Sequence, residues 1–258
     1  MRSVRATRYV TPLREGGSLP GVVEADDLGV YVCKFRGAGQ GVRVLVAEVV
    51  VAGLARLLDV PVPEMVIVDL TPDIARFEAD EEVQDLLRAS VGLNLGVDLL
   101  HRAFGYDASY EPDPDLAGRI LWLDALSANV DRSWRNPNLL LWGRGGDELW
   151  AIDHGAALYF HYSWPGGGED PARFAIQPYD ASEHILRRFA DRADAQDSDL
   201  AERLTTLALA KVLAEVPDEW LEPLPGADDA AAVRQRYVDF LTARVAGPRV
   251  WLPRPVGA

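Results

Sequence analysis

The chain has 258 residues, 48% of them apolar, and 26 Lys and Arg against 40 Asp and Glu give a formal charge of −14 at pH 7. That length and apolar fraction suit one large core or two modest packed units, and exclude a largely disordered chain. The acidic balance argues against a general nucleic-acid or anionic-membrane surface, and the single cysteine, Cys33, excludes an intramolecular disulfide or a thiolate metal cluster.

No apolar run follows the basic start Met1 to Arg5, so no signal peptide is visible. The apolar stretch from Val44 to Leu58 is interrupted by Glu48 and Arg56 and is too short to span a bilayer. A soluble, cytoplasmic protein is expected. In chain order, Arg14 to Gly21 is glycine-rich and reads as a turn entering a strand at Val22, and Gly29 to Phe35 is dense in β-formers and reads as a strand. The loop Gly37-Ala38-Gly39-Gln40-Gly41 leads into a helix from Val44 to Leu58, which Pro61 and Pro63 close, and Met65 to Leu70 forms another strand.

Beyond Thr71-Pro72 the pattern turns helical, with helices expected near 80–90, 116–129, 182–190, 199–216 and 228–245. A short hairpin interrupts them: Leu139 to Trp142, a turn over 143–147, then Leu149 to Ile152. The expected organisation is therefore α+β, with a small β-rich lobe over 1–71 and a larger helical lobe over 72–258.

The strongest chemical signal is Asn129-Val130-Asp131-Arg132-Ser133-Trp134-Arg135-Asn136-Pro137-Asn138, followed across the hairpin by Ile152-Asp153-His154-Gly155. Phosphoryl transfer needs a carboxylate that accepts the proton of an attacking hydroxyl, and oxygen ligands that hold magnesium on the phosphates. Kinases place an Asp and a following Asn in a loop before a strand, and return a second Asp by a hairpin. Asp131, Asn136 or Asn138, and Asp153 stand in that order. Taken singly, each is also an ordinary turn or strand-end residue.

Lys34 shares a strand face with Val30 and Val32, while Tyr31, Cys33 and Phe35 point the other way. A lysine there can simply snorkel from an edge. However, Glu48 lies at the centre of a strongly apolar helix, where a carboxylate is costly without a partner, and Lys34 is the nearest plausible cation in sequence. Such a pair would aim the lysine at nucleotide phosphates. Gly16, Gly17 and Ser18 could bend over those phosphates, or form a plain hairpin turn. The Gly37–Gly41 loop lacks the dinucleotide spacing, since Val42 stands three after Gly39, and no Walker A sequence is present. Nor is there a zinc pattern among His101, His154, His161 and His184, or a Gly-x-Ser-x-Gly elbow. Trp164 to Pro171 reads as a loop after the second Asp, mobile or merely connecting.

On Lys34, Glu48, Asn129-Val130-Asp131-Arg132 and Ile152-Asp153-His154-Gly155, the sequence resembles the HipA-like kinase domain family over about residues 10–190. The resemblance implies a bilobal, protein-kinase-like fold, ATP and Mg2+ as cofactors, and transfer to a hydroxyl, with Asp131 catalytic. It would be a reduced member, without room for the additional N-terminal subdomain of full-length HipA toxins. Family spacing, five residues after the catalytic Asp, selects Asn136 as metal ligand, whereas the Asn directly before the strand is Asn138. Ser133 stands where relatives often carry His.

An active kinase acting on a protein Ser/Thr or a small-molecule hydroxyl is the expected function, with no nucleic-acid or membrane partner. A pseudokinase-like nucleotide-binding module would need none of Lys34, Glu48, Asp131 and Asp153 together. A metal hydrolase built on Asp131, Asp153 and His154 would leave Lys34 and Glu48 unexplained.

Overall fold

The computed structural model describes residues 1–13, 19–39, 41–76, 78–143, 145, 148–164 and 170–254. It mixes helices and sheets, and divides into two compact units: Met1–Leu45 with Pro63–His101, and Val46–Val62 with Arg102–Ala258. Residues 72–101 group with the strands of the first unit. Gly16, Gly17 and Ser18, most of the 143–147 turn and residues 165–169 lie outside the described residues.

In the first unit, β1 (Ser3–Pro12), β2 (Gly21–Ala25), β3 (Val30–Lys34), β4 (Met65–Leu70) and β5 (Gly92–Asp98) close a barrel in the order β1-β2-β3-β5-β4. Closure depends on β1 running parallel to β4, with Ser3 opposite Ile67, while the remaining pairs are antiparallel. The alternation read from β3 holds. Tyr31, Cys33 and Phe35 join the interior with Val23, Val66 and Val68, and Val30, Val32 and Lys34 are only half-buried. Each such apolar side chain, fully buried, contributes about 1.5–3 kcal/mol. Burial also pushes the Cys33 thiol up, which removes it as a nucleophile.

Strand β5 was not legible. Its sequence, Gly-Leu-Asn-Leu-Gly-Val-Asp, is poor in β-formers, yet Gly96 is needed where a Cβ would come within 2.6 Å of Val68 Cγ2 and 2.8 Å of Val66 Cγ2. The buried Asn94 accepts the Arg36 backbone N–H at 2.8 Å and donates to the carbonyls of Ser90 and Gly92 at 2.8 Å each. Helix α1 (Val42–Leu57) and helix α2 (Glu81–Ala89) follow the expected spans closely. The Asp80 carboxylate caps α2 by accepting the N–H groups of Glu82 and Val83, and Val83 and Leu87 complete the barrel core.

The second unit holds a three-stranded sheet, β6 (Phe104–Gly105), β7 (Leu139–Trp142) and β8 (Glu148–Ala151), in that order. Around it are α3 (Pro114–Ser127), α4 (Pro171–Ala175), α5 (Ala190–Arg203), α6 (Thr206–Leu213) and α7 (Ala230–Ala246). Two expected helices are corrected. Residues 182–186 form turns, pinned by a β-bridge between Ser133 and His184, and α5 begins only at Ala190. The 199–216 helix is two, because the Thr205 hydroxyl accepts the Ala208 N–H and starts α6 afresh.

Gly118 lets α3 approach α5 closely, since a Cβ there would lie 2.6 Å from Arg192 Cβ and 2.9 Å from the Ala193 backbone nitrogen. On helix propensity alone Gly118→Ala would gain about 1 kcal/mol. The clash is with backbone, which cannot rotate away, so we expect a net loss of about 1–3 kcal/mol, read as a lower urea midpoint.

Candidate active site

Helix α3 ends just before the loop that carries Asp131. Asp113 caps its start by accepting the Leu116 N–H at 2.7 Å, and almost every residue from Leu116 to Ser127 is buried. Ala128 terminates it in the left-handed region, at φ 54°, and the Asn129 N–H closes back on the Asp124 carbonyl at 2.8 Å. That tight exit throws the chain into the loop Val130–Asn138.

Asp131 stands at the head of this loop. Its own N–H donates to Asn129 Oδ1 at 3.2 Å. Its Oδ2 accepts the side-chain amides of Asn136 at 2.9 Å and of Asn138 at 3.3 Å. Asn138 also donates to the Asp131 carbonyl at 3.3 Å. Both candidate asparagines therefore share one oxygen of the candidate base. They differ in surroundings: Asn136 is exposed on the loop, and Asn138 is half-buried at the mouth of the hairpin.

The hairpin then fixes Asp153. Strands β7 and β8 pair Leu139 with Ala151, and the Ile152 N–H extends the ladder onto the Asn138 carbonyl at 3.0 Å. Asn138 and Asp153 both have positive φ, 49° and 54°, where Asn and Asp are the non-glycine residues best tolerated. Asp153 is exposed. The next residue, His154, is buried, and its backbone N–H donates to Glu48 Oε2 at 3.0 Å. The buried Glu48 carboxylate is thus tied to the backbone beside Asp153. Lys34 lies on β3 in the first unit, opposite Leu95, and is half-buried.

A further set of buried groups underlies the loop. Asp124 is fully buried and receives Arg132 Nε at 2.5 Å and Nη2 at 3.3 Å, Asn129 Nδ2 at 2.9 Å and His184 Nε2 at 3.0 Å. His184 Nδ1 accepts the Leu186 N–H, so the ring carries its proton on Nε2 and donates it to Asp124. Burial would raise the Asp124 carboxyl, but Arg132 and His184 outweigh it and hold the group well below the usual carboxylate range. Its contribution to stability is therefore fully present above about pH 4 and is lost only as pH falls toward the depressed folded value.

Asp124 escaped the sequence reading. The signal was there: a lone carboxylate inside Leu-Trp-Leu-Asp-Ala-Leu, the pattern that singled out Glu48. The roles of His184 and of Tyr179, which donates to the Asn129 carbonyl at 2.8 Å, had no local signal.

Among the described residues no cluster of three or more His, Cys, Asp and Glu could hold a metal by itself. Asp153 and an asparagine amide are nevertheless hard oxygen donors. Mg2+ takes few protein ligands when phosphates and waters complete its shell, so these residues fit it. No described helix is long and apolar enough to cross a membrane.

A family model described as HipA-like kinase matches residues 7–252. The crystal structure of a Helicobacter pylori proinflammatory kinase, CtkA, is similar at a TM-score of 0.48 and 12% identity, covering 92% of this chain and 96% of that one. No curated protein matched the chain.

Proposed function

Since the chain belongs to the HipA-like kinase family, we propose that it transfers the γ-phosphoryl group of ATP to a protein Ser/Thr hydroxyl, with Asp131 as the base. The observation that carries this is the state of the Asp131 carboxylate. Asn136 and Asn138 both donate to Oδ2, and among the described residues no donor reaches Oδ1. One oxygen is anchored, and the other is left to orient an acceptor hydroxyl and take its proton.

Asp153 and Asn138 are the proposed magnesium ligands. The 3.0 Å bond from Ile152 N–H to the Asn138 carbonyl supports Asn138 over Asn136, because it sets residue 138 beside the residue preceding Asp153. When bound, Mg2+ and ATP supply the phosphoryl donor and neutralise charge on its oxygens. Lys34, Gly16, Gly17 and Ser18 are the proposed phosphate contacts, and Glu48 holds the backbone next to Asp153.

Solvent-exposed Val130 (68%) and Trp134 (57%) flank Asp131 in the chain. A base bordered by open apolar side chains suits a polypeptide acceptor better than a small polar molecule needing an enclosed pocket. The test is incubation of the purified chain with γ-labelled ATP and magnesium, alone and with cell lysate, followed by phosphoamino-acid analysis. Label on Ser or Thr is expected. Tight nucleotide binding with no transfer to itself or to any lysate component would instead make the chain a nucleotide-binding interaction module.

A further inference from the structure

We infer that Asp124, acting through Arg132, is the positioning pair that holds the Asp131 carboxylate in register with the hairpin mouth at Asn138 and Ile152. The inference rests on the phosphotransfer reading above and deepens it. Arg132 is 2% exposed although it directly follows the half-buried Asp131. Its guanidinium turns inward and spends every nitrogen. Nε and Nη2 meet the two Asp124 oxygens, Nη1 donates to the Asn138 carbonyl and, at 3.2 Å, to the Ile152 carbonyl, and Nη2 lies 3.3 Å from His154 Nδ1.

Those carbonyl acceptors lie just outside the two strands, at the open end of the hairpin. Asn138 precedes β7, Ile152 follows β8, and the next residue is Asp153. One planar fork thereby ties the loop bearing the proposed base to Asn138 and to the residues on either side of Asp153. Asp124 orients that fork. It is bonded by Nε and Nη2 of the guanidinium, by Asn129 from the exit of its own helix, and by His184 from a segment 60 residues away. Neither Asp124 nor Arg132 need touch a substrate for this role.

A lysine at 132 would keep a point charge for Asp124 but cannot reach a carboxylate and two carbonyls at once. Misplacement by about 1 Å costs about a hundredfold in rate. For Arg132→Lys we expect a near-parental KM for ATP and a kcat lower by about 10- to 100-fold. Hydrogen exchange should quicken in peptides covering 131–139 and 151–155 and stay unchanged in the barrel strands. Asp124→Asn should behave alike; if it does not fold, Asp124→Asn with Arg132→Gln removes both charges together and takes its place.

Parental kcat and parental exchange in Arg132→Lys would overturn the inference. So would exchange that quickens uniformly along the chain, which marks a merely structural residue. Should the parent chain itself transfer no phosphate, the functional reading fails, and the exchange pattern alone still decides whether Arg132 clamps the loop to the hairpin.

Discussion

Asp131→Asn should bind magnesium-ATP nearly as well as the parent and lose about 10²- to 10⁴-fold in phosphoryl transfer, roughly 3 to 5 kcal/mol of barrier. The substitution is close to isosteric, so the loop keeps its shape. The side-chain amides of Asn136 and Asn138 still find an oxygen at 131, and the Asp131 N–H bond to Asn129 involves only backbone of the altered residue. What disappears is the proposed proton acceptor. Single-turnover transfer and calorimetric nucleotide binding, measured on the same preparation, separate the two effects. Equal transfer rates with chemistry shown to be rate-limiting would remove Asp131 from the base role while leaving the family assignment intact.

The second large effect is expected at Asp153. Magnesium-ATP at a hundredfold above its dissociation constant should stabilise the folded chain by about 2.7 kcal/mol. Asp153→Asn should remove most of the part of that shift that depends on magnesium. Asparagine is the better probe than alanine here, because φ at 153 is 54° and alanine would add backbone strain of about 1–2 kcal/mol unrelated to the metal. Thermal melts with nucleotide, with and without magnesium, give the answer directly. An undiminished magnesium-dependent shift would exclude Asp153 as a ligand, and the same melts on Asn136→Ala and Asn138→Ala show which asparagine accompanies it.

Much of the geometry of this candidate site was legible because it is local. Asp131, the two asparagines and Asp153 lie within one loop and one hairpin, so ladder pairing from Leu139–Ala151 onward is enough to bring position 152 back to position 138. The hairpin strands and the inward face of β3 followed from side-chain alternation alone. Helix α7 was also found within about two residues of its observed ends, from apolar periodicity. The misplaced helix at 182–190 shows the limit. Its composition permits a helix, but the observed turns centre on His184, whose ring reaches Asp124 across 60 residues of chain.

Sequence by itself determined the order of the chemical groups, the hairpin that returns Asp153, and the strand face that carries Lys34, since each depends on neighbours a few residues away. Tertiary structure alone decided what the buried charges meet. Glu48 accepts an N–H 106 residues distant, and Asp124, besides Asn129 and Arg132 at the exit of its own helix, meets His184 60 residues away. It also decided that a glycine-rich segment, 92–98, closes the barrel as β5. The physical reason is common to these cases. A buried charge or an orphan strand edge states that a partner is required, because leaving it unpaired costs several kcal/mol. Which partner answers depends on the packing of the whole unit, and no local pattern records it.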